Sequence, residues 1–449
     1  MPDPVSGPPG TGRTESLLTP ATGLDGLSSG TATAVAPEPP MRAAARVGRR
    51  FISLYTLAFI GTNLVFLAPL LVTLPLKVNA LVGIDQAPNS LAVVASAGAF
   101  LAIFGNPFFG RMSDRTTSRF GMRRPWMIGG LAGGSLGILI VAVAPTIPVV
   151  LVGWCIAQLS FNALLAAQVA VIPDQVPIAQ RGLVSGLIGV CLPIASVSAT
   201  FLVKLLAGNE LAMLLVPSAI GGFFVLVFVA TLNDRRLDVA DKPAWSLREF
   251  ASTFYVNPRR NPDFAWAFAS RFMFVLAYAI LVTYLAYYLL QKIGSNEADV
   301  PQQIFLGTLV QSVALIAASL LGGRVTDRTG RRKIFVFSAS IVYGLALFLI
   351  AVANGFNGFL VGMAISGLGF GLYFAVDLAL VLDVLPAKED AAKDLGVFNM
   401  ASAVPFALAP AIAPAILAIG NGSYGLLYAV AGGCAVVGAI AILPVKRVR

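Results

Sequence analysis

The sequence predicts an all-α membrane protein with twelve transmembrane helices in two pseudo-symmetric six-helix halves. Hydrophobic residues make up 57% of the chain and charged residues only 12%, whereas soluble domains average about 45–50% and about 25%. The chain also contains twelve apolar stretches near the ~20 residues that a membrane-spanning helix needs. Finally, one basic motif occurs twice, beginning at Gly110 and at Gly323. Such a repeat is typical of membrane proteins made of two related halves.

The first 45 residues predict a disordered cytoplasmic tail. They are rich in Pro, Gly, Ser, Thr and Ala and contain no apolar stretch, so they cannot bury enough apolar surface to fold. A secretory signal needs a short apolar segment and a cleavage site, but the arginines that end this tail lead into a full-length apolar stretch. The predicted N-terminal half therefore covers residues 46–232. A cytoplasmic linker follows at 233–262, and the C-terminal half covers 263–449.

Each predicted span is an apolar stretch with polar or turn-forming residues at its ends, which place those ends in the headgroup region. In the N-terminal half the predicted spans are 51–75, 89–109, 126–144, 149–172, 182–207 and 211–232. In the C-terminal half they are 263–290, 302–322, 334–353, 357–382, 394–418 and 423–443.

The basic residues predict the orientation of these spans. If both termini are cytoplasmic, 27 of the 31 Lys and Arg residues fall in cytoplasmic segments. The other four are Lys77, Lys204 and Lys292 near the outer ends, and Arg271 within a span. This positive-inside bias predicts a multi-pass protein of the inner or plasma membrane with both termini in the cytoplasm. The basic residues therefore face lipid headgroups, and nucleic acid is not an expected partner.

The linker at 233–262 contains the signals of a short helix. Ser246 and Glu249 have the spacing of a capping box, and Leu247, Phe250 and Phe254 recur at helical spacing. We predict a helix that lies along the cytoplasmic interface of the membrane. The alternative is a solvated linker without regular structure.

The residue inventory excludes several classes of function. Histidine is absent, and the three cysteines, Cys155, Cys191 and Cys434, lie in apolar stretches. No metal-ligand spacing occurs, so neither a metal nor another cofactor is expected. The chain also lacks a glycine-rich phosphate loop of the Walker type. We therefore predict that the protein is not an enzyme and has no ATP-binding domain of its own.

The repeated basic motif predicts a charged network at the cytoplasmic face. The first copy reads Gly110-Arg111-x-x-Asp114-Arg115-Thr116, and the second reads Gly323-Arg324-x-x-Asp327-Arg328-Thr329. Glycine lets helices approach closely, and the aspartates can accept hydrogen bonds from neighbouring arginines or from a helix N-terminus. A second pair of loops is in register, because Asp174 and Asp383 lie 209 residues apart.

We predict that this network holds one face closed and opens when the two halves move. The alternative is that the arginines only set the topology. The predicted gating residues are Gly110, Asp114, Arg115, Arg119, Arg123, Arg124, Asp174, Gly323, Asp327, Arg328, Arg331, Arg332 and Asp383.

The first motif extends over twenty residues that carry a family resemblance. It reads Asn106-Pro107-x-x-Gly110-x-x-Ser113-Asp114-Arg115-x-Thr117-Ser118-Arg119-Phe120-Gly121-x-Arg123-Arg124-Pro125. With its repeat, this motif resembles the major facilitator superfamily. This copy is similar to the same loop of the sucrose transporters and, less closely, of the glycoside-pentoside-hexuronide:cation symporters. The chain departs from these sugar carriers, since 89–109 contains no acidic residue and 149–172 no arginine.

The resemblance implies the major facilitator fold and a monomer that performs secondary active transport by alternating access. It implies symport of a proton with a sugar, a glycoside or a similar small polar solute. One alternative is a proton-coupled exporter of drugs or metabolites on the same fold, although 186–193 does not reproduce the glycine-proline signature of such exporters. A second alternative is a non-transporting membrane receptor.

Two charged residues lie well inside the predicted spans. A charge in the hydrocarbon region costs about 2.5–3.5 kcal/mol on insertion scales, so each such residue is a candidate functional group. Arg271 lies about 12 Å and Asp377 about 9 Å from the cytoplasmic ends of their spans, at 1.5 Å per helical residue. The resemblance implies that the first, fourth, seventh and tenth spans line the central cavity. We predict that Arg271 and Asp377 form a coupling pair that exchanges its proton or its partner; the alternative is a static ion pair.

Neutral polar and aromatic residues on the same spans are candidate substrate contacts. Amide groups beside aromatic faces suit a hydroxylated solute, but polar residues in membrane helices also hold helices together. Besides Arg271 and Asp377, the predicted cavity residues are Asn63, Gln158, Asn162, Tyr278, Tyr284, Gln311, Tyr373 and Asn399.

Overall fold

The computed structural model of the chain describes residues 46–242, 258–329, 331–384 and 391–446. Within these residues, twelve helices are long and apolar enough to cross a membrane, which confirms the predicted all-α fold of two six-helix halves. They are α1 (Arg49–Val82), α2 (Ala87–Asp114), α3 (Arg124–Val143), α4 (Ile147–Gln175), α5 (Ile178–Leu205), α6 (Glu210–Thr231), α7 (Pro262–Ile293), α8 (Val300–Thr329), α9 (Arg332–Val352), α10 (Phe356–Val384), α11 (Ala391–Ile419) and α12 (Tyr424–Ala441).

The repeated basic motifs lie partly within helices. Residues 110–114 form the end of α2, and residues 323–329 form the end of α8, although the sequence placed both motifs in loops. A helix can continue past the hydrocarbon region because its backbone hydrogen bonds are internal, whatever side chains it carries. The interfacial helix expected at 246–254 and the tail at 1–45 lie outside the described residues, and both stay predictions.

The two halves repeat the same helix contacts at one sequence offset. In the N-terminal half a Cβ added to Gly153 of α4 would lie 2.9 Å from the carbonyl oxygen of Gly137 in α3. In the C-terminal half a Cβ added to Gly362 of α10 would lie 3.4 Å from the carbonyl oxygen of Ala346 in α9. Both C-terminal residues follow their counterparts by 209 positions, as Asp383 follows Asp174. The register between the loops therefore continues through the packed helices.

The halves contact each other along two helix pairs and at one end of α1 and α7. We call the face where α2 ends and α3 begins the loop face, and the opposite one the far face. Along the interface α2 packs against α11 and α5 against α8. Near the far face, residues 71–78 of α1 and 279–289 of α7 are all buried, and the Tyr287 hydroxyl donates to the Pro75 carbonyl over 2.9 Å. The two halves are therefore closed against each other at the far face.

Candidate functional site

A cavity of about 700 Å³ lies between the two halves. Side chains of α1, α2, α4, α7, α10 and α11 line it, together with Leu192 of α5. The buried segments of α1 and α7 close it toward the far face. Toward the loop face, the lining residues Gly396 and Asn399 of α11 are exposed. The cavity is therefore accessible from the loop face, which the sequence predicts to be cytoplasmic.

The cavity wall is largely apolar. Of the 34 lining residues, 12 have polar side chains. Among the described lining residues, Arg271 and Asp377 are the two that carry a charge. A volume in this range with a few convergent polar groups is typical of a site for a drug-sized organic molecule.

Arg271 and Asp377 form the ion pair that their depths predict. Arg271 Nη1 lies 2.9 Å from Asp377 Oδ2, and the two side chains keep 19% and 14% of their surface exposed in the cavity. Arg271 Nε also donates to Ser402 Oγ over 2.7 Å, and its guanidinium carbon lies 5.1 Å from the ring centre of Phe398. Arg271 thus has two contacts on α11 besides its ion pair with Asp377.

Aromatic rings surround this ion pair. Tyr373 precedes Asp377 by one helical turn and lines the cavity beside it. Its ring stacks on Phe274 of α7 with 3.8 Å between ring centres, and the ring of Tyr278 lies 4.7 Å from that of Phe370. The charged pair therefore faces a wall on which an aromatic or lipophilic solute can stack.

The ion pair has a neutral counterpart in the N-terminal half. Thr62 and Gln168 precede Arg271 and Asp377 by 209 positions each, the same register that relates the helix contacts. Thr62 Oγ1 donates to Gln168 Oε1 over 2.8 Å, so α1 and α4 are joined where α7 and α10 are. Among the residues described, this pair of positions is thus charged in one half and neutral in the other, and in the neutral half only Thr62 lines the cavity, because Gln168 is fully buried.

The N-terminal wall of the cavity carries amide side chains. Asn63, Gln158 and Asn162 all line the cavity, and their contact with a substrate stays a prediction. Asn63 Nδ2 donates to the Phe59 carbonyl over 2.7 Å, and Asn162 Nδ2 donates to the Gln158 carbonyl over 2.8 Å. Asn63 and Asn162 thus each use one N–H donor within their own helix and keep further hydrogen-bonding groups for a solute.

Two predicted cavity residues lie elsewhere in this conformation. Tyr284 is fully buried and donates to the Pro410 carbonyl over 3.2 Å, as part of the far-face closure. Gln311 of α8 donates to Ser366 Oγ of α10 over 2.9 Å. Neither lines the cavity. Helical spacing predicts which residues share a face, but the packing of α7 against α11 and of α8 against α10 decides which face meets the cavity.

Arg123 is the centre of the charged network at the loop face. Its guanidinium pairs with Asp114 at 2.6 Å and with Asp174 at 2.8 Å, and it donates to Ser113 Oγ over 2.8 Å. Burial acts to lower the pKa of Arg123, but the hydrogen bonds and charges of Asp174 and Asp114 raise it above its ordinary value. All these partners belong to the N-terminal half, so the contacts of Arg123 brace α2, α3 and α4 within one half.

Asp234, which follows α6, completes this cluster. Its Oδ2 accepts hydrogen bonds from the backbone N–H groups of Arg123 and Arg124 over 2.7 and 2.8 Å. Both donors lie at the start of α3, where a carboxylate is favoured by the helix dipole. Gly121 has φ +106°, and a Cβ there would overlap the Asp234 carboxylate. Glycine is therefore required by both the backbone conformation and the close approach.

The other predicted gating residues have different surroundings. The guanidinium of Arg119 lies 4.9 Å from the ring centre of Phe120. A Cβ on Gly110 would lie 4.0 Å from Ala166, and one on Gly323 would meet no described atom within 4 Å. The close helix approach predicted at Gly323 occurs instead at Gly322, where a Cβ would lie 2.8 Å from Leu372.

The remaining gating residues stay predictions. Arg115 and Arg332 are half-buried, whereas Arg328 and Arg331 are exposed. The side chains of Asp327 and Asp383 lie outside the described part of the chain.

Several site residues were missed by the sequence reasoning. Asn106 was assigned to the loop motif, but it lines the cavity and donates to Asn162 Oδ1 over 3.4 Å. The sequence pattern did not mark Ser402 and Phe398 as site residues, because serine and phenylalanine are common in apolar spans. Thr62 and Gln168 could have been found by extending the 209-residue register into the spans.

Comparisons with known proteins give one family match and several partial relatives. A sequence model described as Major Facilitator Superfamily matches residues 51–318 and 296–449. Multidrug resistance protein MdtL of Klebsiella pneumoniae is 28% identical over 159 residues, which are 35% of this chain and 39% of that protein. MdtL of Escherichia coli is 30% identical over 158 residues, 33% of this chain and 38% of that protein. The match thus spans less than half the length of these relatives.

Solved structures with the same fold include two transporters. A mutant of the nucleoside transporter NupG superposes with a TM-score of 0.70 at 16% identity and covers 88% of this chain and 99% of its own. The human organic anion transporter MFSD10 superposes with a TM-score of 0.63 at 15% identity, with the same coverage of 88% and 99%. At these identities the likeness shows a shared fold.

Proposed function

The chain belongs to the major facilitator superfamily, and from this premise we propose that it is a secondary transporter that exports amphipathic organic solutes in exchange for protons. The observation that carries the proposal is the cavity of about 700 Å³, in which 22 of the 34 lining residues are apolar and one ion pair is charged. Aromatic rings bind the apolar part of the solute, and a positively charged or hydrogen-bond-donating group binds Asp377.

The coupling follows from competition for one carboxylate. Asp377 can bind a proton or a cationic group of the solute, but the two neutralise the same charge and exclude each other. When either arrives, Arg271 separates from Asp377 and keeps its contacts with Ser402 and Phe398. Each turnover therefore carries solute in one direction and a proton in the other, as the two halves alternate between closure at the far face and at the loop face.

Sugar symport is the second candidate, and a specific observation favours it. The amides of Asn63, Gln158 and Asn162 face the aromatic wall across the cavity, an arrangement that also suits a hydroxylated solute. This arrangement supports the function implied by the first basic motif. The two candidates differ in the direction of the proton relative to the solute.

The direction of coupling can be measured in proteoliposomes with an imposed pH gradient. An exporter of this kind accumulates a lipophilic aromatic cation such as ethidium when the vesicle lumen is acidic, because protons leave as the cation enters. A sugar symporter accumulates a labelled glycoside when the outside is acidic. Glycoside accumulation under the second gradient, without ethidium accumulation under the first, would contradict the proposed function.

The role of Asp377 is tested by changing its charge alone. We expect Asp377→Asn to abolish accumulation driven by the pH gradient, while exchange at equal pH of a neutral, hydrogen-bond-donating solute continues, because the amide oxygen accepts that hydrogen bond but takes up no proton. Glu210→Gln is the matched control, since Glu210 is paired with Lys77 at 2.7 Å but does not line the cavity. Full accumulation by Asp377→Asn would refute the coupling role.

A further inference from the structure

A second pocket lies at the loop face, outside the transport cavity. It has a volume of about 480 Å³ and is lined by Arg119, Phe120, Arg124, Asn233, Asp234 and Arg236. Three of these six residues are arginines. The carboxylate of Asp234 is engaged by the backbone of Arg123 and Arg124, so the pocket carries an excess of positive charge.

The arginines of this pocket have donors available for an anion. Arg119 and Arg236 are exposed. Arg124 donates through Nη2 to the Leu232 carbonyl, but its Nε is buried and has no hydrogen-bond partner among the described residues. A buried guanidinium N–H without a partner is costly, and phosphate oxygens are among the acceptors that arginine binds most strongly.

The surroundings of the pocket are those of a lipid. Phe120 exposes 60% of its surface beside Arg119. Along α3, an exposed apolar row continues from the position of Arg124 at intervals of three or four residues: Ile128, Leu136, Leu139 and Val143, with Ala132 between the first two. A phosphate in the pocket can therefore continue into acyl chains that lie along this row in the hydrocarbon region. A soluble phosphate has no acyl chain that could contact this apolar row.

We propose that this pocket binds the phosphate headgroup of an anionic membrane lipid, with Arg119, Arg124 and Arg236 as its ligands and α3 as the surface for its acyl chains. Basic pockets at the cytoplasmic ends of membrane helices bind anionic headgroups by this combination of charge and depth. The bound lipid lies against Asp234 and the start of α3, so it stabilises the same junction that Arg123 braces. The proposal is independent of which solute the protein carries.

The test compares lipids and variants in detergent solution. Purified protein is titrated with phosphatidylglycerol, with phosphatidylcholine or with glycerol 3-phosphate, while its melting temperature and, by native mass spectrometry, its bound lipid are measured. Phosphatidylglycerol is expected to raise the melting temperature and to remain bound. In the double variant Arg119→Gln/Arg236→Gln, the half-saturating concentration rises about thirtyfold, since each of the two arginines near a lipid surface contributes about 1 kcal/mol.

Arg235→Gln is the matched control for Arg236→Gln alone, because each removes one positive charge and Arg235 is exposed in the same loop but does not line the pocket. It measures the part of binding that depends only on net charge, and we expect a change of about twofold. The proposal is overturned if the control weakens binding as much as Arg236→Gln, if phosphatidylcholine binds as tightly as phosphatidylglycerol, or if glycerol 3-phosphate saturates the effect at the same concentration as the lipid. Both altered arginines are exposed, so the double variant is expected to fold.

Discussion

Tyr287 and Tyr288 are neighbours in α7 that make chemically equal hydrogen bonds with different consequences. The Tyr287 hydroxyl donates to Pro75 of the N-terminal half over 2.9 Å, whereas the Tyr288 hydroxyl donates to Ile350 of its own half over 2.7 Å. Both side chains are fully buried. Tyr287→Phe therefore removes a bond that exists only while the halves are closed at the far face, and Tyr288→Phe removes one that any rigid movement of the halves preserves.

The size of the effect follows from the net free energy of one buried hydrogen bond. A buried hydrogen bond contributes about 1 kcal/mol net, which is roughly a fivefold change in an equilibrium constant. We expect Tyr287→Phe to shift the population by about fivefold toward the state that is open at the far face. Tyr288→Phe lowers the stability of both states by a similar amount and leaves their ratio unchanged.

The measurement is the rate at which a cavity cysteine reacts from each side of the membrane. Asn399→Cys is introduced after the three native cysteines have been replaced by alanine, and an impermeant maleimide is added to right-side-out or inverted vesicles. Labelling from the far face should rise about fivefold in Tyr287→Phe and stay at the starting rate in Tyr288→Phe. Equal rates in the two variants would refute the closure that we assign to Tyr287.

Three further outcomes are expected. In a double-mutant cycle, Arg271→Thr and Asp377→Gln should each lower the melting temperature of the detergent-solubilised protein, because each leaves a partly buried charge unpaired. The double variant, which copies Thr62 and Gln168, should recover most of the loss. Additive losses would show that the two charges are not coupled. Gly121→Ala should lower the free energy of unfolding by about 2 kcal/mol or more, because residue 121 has a positive φ and a Cβ there overlaps Asp234. Thermal unfolding measures this loss. Gly129→Ala is the neutral control, since its Cβ meets no described atom within 4 Å. Arg123→Met should lower the melting temperature without changing the far-face labelling ratio, because its partners belong to one half; a changed ratio would show that Arg123 is part of a gate.

Much of the fold could be predicted from the sequence because the bilayer imposes a length and a composition on each span. All twelve helices occur near their predicted positions, and the errors lie at their ends. Residues 110–114 continue α2 because helix length beyond the hydrocarbon region depends on backbone hydrogen bonds rather than on hydrophobicity. The pair of Arg271 and Asp377 could also be predicted, since a charge inside a span must find a partner at its own depth.

Other parts of the site could not be predicted in this way. Tyr284 and Gln311 are polar residues on apolar spans, as Tyr278 and Asn399 are, yet only the latter two line the cavity. A polar side chain in a membrane helix can face a cavity or another helix, and the sequence assigns the same pattern to both. Arg123 shows the same limit for charge, because its three side-chain partners come from residues 113, 114 and 174 of one half.

The sequence by itself determined the number of spans, their pairing into two halves, the family and the charged pair of Arg271 and Asp377, because each of these depends on hydrophobicity, charge and register along the chain. Only the tertiary structure decided that the halves meet at the far face, that the cavity is wide and largely apolar, and that Thr62 and Gln168 repeat the charged pair in neutral form. Those features depend on helix tilt and on contacts between residues far apart in sequence, which the packing of twelve helices sets together.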